Sequence, residues 1–187
     1  MTETGLDKVA ERRRRILDAA LFLVLRQGFR GTTMEAVARE ARIAKATLYA
    51  QFADKDAIYT GIVDEMIGDM LAAYDSGMAG PGDIVERVGV ALVGKYGTIA
   101  RLLDGSPHAA ELYAEHNRAA GRFRAIDHKV QTEVAAALSA AGAADGPGLA
   151  RLVLAASYGV ASKLGSEAEI GAAIKLVCRR LIGPELP

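Results

Sequence analysis

Glycine and proline fall mostly at the ends of long runs that favour Ala, Leu, Glu and Arg. No segment alternates apolar and polar residues for long enough to make a convincing strand. That punctuation predicts an all-α fold of about nine helices. The first is expected over Asp7 to Gln27, with Ile16, Ala19, Ala20, Leu23 and Val24 on one face and Gly28 closing it in a left-handed turn. A second is expected from Thr32, with Glu35 completing a capping box, to near Arg42, and a third from Lys45 to Phe52. Asp54 is placed to cap a fourth, on which Ile58, Ile62, Met66, Met70 and Tyr74 share a face. Past the break at "SGMAGPGD", Asp83 starts a helix that reaches Gly94 to Gly97, followed by a short helix at "TIARLLDG". Further helices are read from Ser106-Pro107, over Arg118 to Ala141, over Pro147 to Leu164 and over Glu167 to Ile182.

The chain has 187 residues, 51% of them apolar, enough for one large domain or two small ones with a sizeable core. Its single cysteine, Cys178, excludes an internal disulfide and a cysteine-cluster metal site. No apolar run approaches the roughly 20 residues of a membrane span. The arginines ahead of the first apolar run resemble a signal peptide superficially, but acidic residues are interspersed and no cleavage site follows. A soluble, cytoplasmic protein is expected. Residues 1–60 carry 11 Lys/Arg against 8 Asp/Glu and the remainder 12 against 15, so the N-terminal part is the one suited to a polyanion.

The stretch "TTMEAVAREARIAKATLYAQFADKD", residues 32–56, sets two short helices back to back. One long amphipathic helix would bury apolar surface more simply. With Ala38 at the crossing and Ile43 and Leu48 beneath, the pair reads as a helix-turn-helix, or else as a plain helical hairpin. The outward half of its second helix carries Ala44, Lys45, Ala46 and Thr47, with Tyr49 one turn on. Small side chains allow close approach to a major groove. Thr47 suits a thymine methyl or a base edge, and Lys45 a guanine or a phosphate. Tyr49, Lys55 and Thr33 are placed for phosphate oxygens.

Together with "ILDAALFLVLRQGFRG" before it, this stretch resembles the DNA-binding region of the TetR/AcrR family of bacterial transcription regulators over about residues 12–67. The shared features are the Gly-aromatic turn, the Thr-Thr start, Thr-Leu-Tyr, a Phe and then Lys-Asp. The chain departs from that pattern at four positions. Arg42 stands where glycine is usual and is expected either to be strained or to turn towards the DNA backbone. Ala44 replaces a serine cap worth about 1 kcal/mol. Gln51, counted with the DNA-facing residues, stands where His or another aromatic is common, and Glu35 where a cation is common.

The resemblance implies a helix-turn-helix domain over 1–53 and a ligand-binding and dimerisation domain over 54–187. It further implies a double-stranded DNA operator, a homodimer and a small-molecule effector. The Ala-, Gly- and Ser-rich "GLARLVLAASYGVASKL" and "EIGAAIKLVCRRLIG" suit a two-fold bundle through the last two helices. Residues expected to line a pocket are Met66, Met70, Tyr74, Tyr96, Ile99, Leu103, Tyr113, His116, Phe123 and Ile126. His108, His116 and His128 have no zinc-ligand spacing, and no phosphate-cradling glycine loop occurs. No catalytic residue, metal or cofactor is expected, and no membrane. The reading is a ligand-relieved repressor on a palindromic operator. The alternatives are a helix-turn-helix protein that works through a protein partner and a small helical enzyme.

Overall fold

A computed structural model describes residues 3–108, 120–163 and 166–187. Among the described residues the chain is wholly helical: α1 (Glu3–Gly31), α2 (Met34–Glu40), α3 (Lys45–Tyr49), α4 (Lys55–Met78), α5 (Ile84–Leu103), α6 (Ala120–Ala140), α7 (Gly146–Lys163), α8 (Glu167–Leu181) and a closing 3-10 turn at Gly183–Glu185. The chain divides into two compact units. One comprises Met1–Glu65 and Gly105–Asn117, the other Met66–Asp104 and Arg118–Pro187, so α4 contributes to both.

The first unit is built on a small core in which Ile16, Leu17 and Ala20 of α1 meet Val37 and Ala38 of α2, Leu48 of α3, and Phe52, Ile58 and Ile62. Gly28 takes a positive φ of 78° and bends α1, and Phe29 folds back into the interior, as the sequence predicts. The second helix starts one residue later than expected. Thr33 is its cap, accepting from the Ala36 amide at 3.1 Å, while Thr32 is buried and donates to the Gly28 carbonyl at 2.9 Å. Thr32 therefore closes the bend instead of opening the helix. Asp54 caps α4 as expected, its carboxylate accepting from the Ala57 amide at 2.7 Å.

The second unit has a larger core, with Tyr74, Val88, Leu92, Val130, Val134, Leu138, Val153, Ile170 and Ile174 wholly buried. The short helix expected at "TIARLLDG" is not separate; α5 runs unbroken through Gly94 and Gly97. Gly94 is there for clearance: a Cβ on it would come within 2.8 Å of the Ala73 carbonyl carbon. At the far end the Ser166/Glu169 capping box opens α8 in full. The helix expected from Ser106-Pro107 runs into residues 109–119, outside the described residues.

Candidate nucleic-acid interface

The junction between α2 and α3 is a tight C-terminal cap. Arg42 donates its amide to the Arg39 carbonyl at 3.1 Å, and Ile43 donates to the Ala38 carbonyl at 3.0 Å. This is the Schellman pairing, which requires a left-handed residue between the helix and the next strand of chain. Arg42 fills that place with φ 54°, the one positive φ outside glycine among the described residues. Its side chain is exposed. Replacing Arg42 by glycine is therefore expected to stabilise the first unit by about 1 kcal/mol. A fall in the urea midpoint would show instead that the arginine side chain holds the turn.

Beyond the turn, Ala44 caps α3 with no side-chain hydrogen bond, and its carbonyl accepts from the Thr47 amide at 3.0 Å. Leu48, wholly buried, anchors this helix from below. The opposite face is open: Ala44, Lys45 and Ala46 are exposed, Thr47 is half-buried and Tyr49 is 49% exposed. Gln51 is half-buried and Thr33 exposed. Lys45 is not a loose cation. Its ammonium donates to Glu35 Oε1 at 3.0 Å, joining α3 to α2. The hydrogen bond from Lys45 holds the Glu35 carboxyl below its ordinary pKa. Both partners are well exposed, so the pair adds little to stability. Sequence spacing suggested Glu35 as a capping partner; the ten-residue gap to Lys45 becomes a contact only through the turn angle.

Lys55 has a structural task as well. It donates to the Phe29 carbonyl at 2.8 Å and lies 4.4 Å from the Phe29 ring centroid, and Phe29 meets Tyr59 edge-on at 5.2 Å. The same carbonyl accepts from the Thr32 amide at 3.3 Å, so the lysine is a second donor to an acceptor at the end of α1. Arg13, from the arginine run, covers the Phe52 ring at 4.5 Å. The first unit thus contains a frame of aromatic rings and cations that the sequence does not advertise.

The expected ligand residues fall into two groups. Met70, Tyr74 and Ile126 are buried in the core of the second unit, and Tyr96, Ile99 and Phe123 pack half-buried against it. Met66 is half-buried. Tyr113, His116 and the side chain of Leu103 lie outside the described residues. Burial raises the pKa of Tyr74 and of Tyr96 and pushes the Cys178 thiol up to about 11. Cys178 is wholly buried and behaves as a packed apolar side chain. Among the described residues no three His, Cys, Asp or Glu side chains converge on a metal position. No helix there is long and apolar enough to cross a membrane.

The family model for "Bacterial regulatory proteins, tetR family" matches residues 16–62, the span that holds this interface. The chain is 30% identical over 105 residues to the HTH-type transcriptional regulator YdeS of Bacillus subtilis, covering 55% of this chain and 53% of that protein. It is 43% identical over 54 residues to the HTH-type transcriptional repressor KstR of Mycolicibacterium smegmatis, covering 29% and 26% of the two. The chain thus spans about half the length of the first of these curated relatives and a quarter of the second. Solved structures resemble it over nearly its whole length. A TetR-like transcriptional regulator from Rhodococcus sp. RHA1 superposes with a TM-score of 0.67 at 21% identity, over 92% of this chain and 96% of that one. SmeT, the repressor of the Stenotrophomonas maltophilia multidrug efflux pump SmeDEF, gives 0.65 at 17%, over 94% and 90%. At those identities the likeness is one of fold. Residues 16–62 thus match the tetR family of bacterial regulatory proteins, and the chain as a whole shares its fold with solved TetR-like regulators.

Proposed function

We propose that the chain is a homodimeric transcription regulator of the cytoplasm that represses from a near-palindromic operator and is released by a small-molecule effector. The observation that carries this reading is the open face of α3, where Lys45, Ala46, Thr47 and Tyr49 project from a helix pinned by Leu48. Residues 1–53 do the DNA binding, with Thr33, Arg42, Gln51 and Lys55 flanking the recognition face; residues 54–187 receive the ligand and dimerise. Two recognition helices would enter successive major grooves about 34–36 Å apart. Support for the dimer comes from the last two helices, where Leu152 and Tyr158 of α7 and Leu176 of α8 are exposed and Gly159 has open space beside it. The relatives named as repressors, KstR and SmeT, favour repression.

Release is a population shift. The effector prefers a conformer with altered recognition-helix spacing, and DNA affinity falls by as much as that preference allows. The ligand is received among Met66, Met70, Tyr74, Tyr96, Ile99, Leu103, Tyr113, His116, Phe123 and Ile126.

Selection of bound sequences from randomised duplex DNA at two salt concentrations tests the reading. A recovered palindrome whose affinity falls as salt rises is expected. Lys45→Ala should then weaken binding to that sequence about tenfold or more, through the loss of one cation, with the unfolding midpoint unchanged. Recovery of no motif, with only salt-sensitive adhesion, would reject operator recognition and favour action through a protein partner.

A further inference from the structure

On α5 the buried face steps from Val88 to Leu92 to Lys95, and the lysine stays inside: only 4% of it is exposed. Among the described residues Lys95 is the one charged side chain buried in either unit. An ammonium in an apolar interior has lost its hydration and must have an anionic or polar partner. Lys95 Nζ donates to Asp127 Oδ1 of α6 at 2.8 Å and lies 4.1 Å from the Tyr96 ring centroid. The two ends of this ion pair differ sharply in solvation. The lysine side chain is 5% exposed, the aspartate 56%.

That asymmetry decides which partner can leave. Asp127 can turn its carboxylate into water, where it is solvated at little cost. Lys95 cannot follow without leaving its place beside Val88 and Leu92. The exchangeable member is therefore the anion, and the ammonium, with three donors, is a fixed receptor for whichever carboxylate is present. Each member of the pair is next in sequence to a residue expected to meet a ligand, Tyr96 after Lys95 and Ile126 before Asp127, and the Tyr96 ring is in contact with the ammonium. The same unit contains two wholly buried hydroxyls, Tyr74 Oη and Ser157 Oγ, with no hydrogen-bond partner. Glu133 is near enough to raise the Tyr74 pKa but does not meet hydrogen-bond geometry. Buried donors without acceptors are costly.

We propose that the effector of this regulator is an anion, an apolar molecule bearing a carboxylate, and that it binds by replacing Asp127 on Lys95. This deepens the ligand-released reading above and rests on it for the consequence at DNA, but the binding step itself stands alone. Asp127 is then an internal stand-in, holding the charge of Lys95 until the effector arrives. An amine would meet the like charge of Lys95, and an alcohol would leave that charge uncompensated once Asp127 was displaced.

Calorimetry and thermal unfolding of the purified full-length protein, without DNA, test this. The probes are decanoate and phenylbutyrate, each against the amine and the alcohol of the same skeleton. At least one carboxylate should bind and raise the unfolding midpoint, with its amine and alcohol at least about tenfold weaker. Lys95→Met, close in shape and uncharged, should abolish the carboxylate response. Asp127→Asn removes the competitor and should tighten the carboxylate about tenfold. If Lys95→Met does not fold, the Asp127→Asn arm and the probe series decide. Equal binding of amine and carboxylate, an undiminished response in Lys95→Met, no tightening in Asp127→Asn, or no response to either carboxylate would overturn the proposal. Failure of the DNA selection with these responses intact would instead sink the regulator reading and leave the anion site standing.

Discussion

Replacing Ala46 by glutamate is expected to abolish operator recognition, lowering affinity at least about a hundredfold while the free energy of unfolding stays within about 0.5 kcal/mol of the parent. Ala46 is exposed on the outer face of α3 and contributes nothing to the core, which Leu48 anchors from the other side. A glutamate there adds bulk where close approach is needed and places a negative charge against the phosphates on either side of the groove. Like-charge contact across an interface costs several kcal/mol, more than the salt screening of an exposed pair can recover. Binding to the selected sequence, measured by fluorescence anisotropy at fixed salt, checks it. Parent-like affinity in the variant would move the contact surface off α3 altogether.

The second large effect concerns the core of the second unit. Gly77→Ala is expected to cost about 3 kcal/mol or more, read as a fall in the urea midpoint. A Cβ on Gly77 would overlap the backbone N and Cα of Ala91 and stand 2.9 Å from the Val90 carbonyl carbon. Backbone cannot swing aside as the end of a long side chain can, so α4 and α5 would have to part there. The gain in helix propensity, about 1 kcal/mol, is too small to offset that. Gly68, also within α4, supplies the control: it is exposed with nothing within 4 Å of its would-be Cβ. Gly68→Ala should therefore stabilise by about 1 kcal/mol. Should both substitutions shift the midpoint the same way, close packing of Gly77 on α5 is not what selects glycine there.

Several elements were legible because their determinants are local. The bend at Gly28, the cap at Asp54, the capping box at Ser166 and Glu169, and the left-handed Arg42 each depend on a few neighbouring residues and their φ preferences. The open face of α3 was legible in part for the same reason, since a short helix with Leu48 inward turns Ala46 and Tyr49 away from the core. Local rules also misled. Thr32 and Thr33 are both good caps, and only the burial of Thr32 against the Gly28 carbonyl decides between them. Gly94 reads as a break until Ala73 is seen to lie against it.

By itself, then, the sequence determined most of the helix placement among the described residues and the helix-turn-helix, because hydrophobic period and capping chemistry act over a few residues. The tertiary structure alone decided what the cations do. Lys45 reaches Glu35 across ten residues, Lys55 reaches Phe29 across 26, and Lys95 reaches Asp127 across 32. Such pairs follow from how helices cross, and nothing in residue spacing encodes a crossing angle. A lysine on a surface and one shut inside a core look alike in sequence; only packing shows which has given up its water.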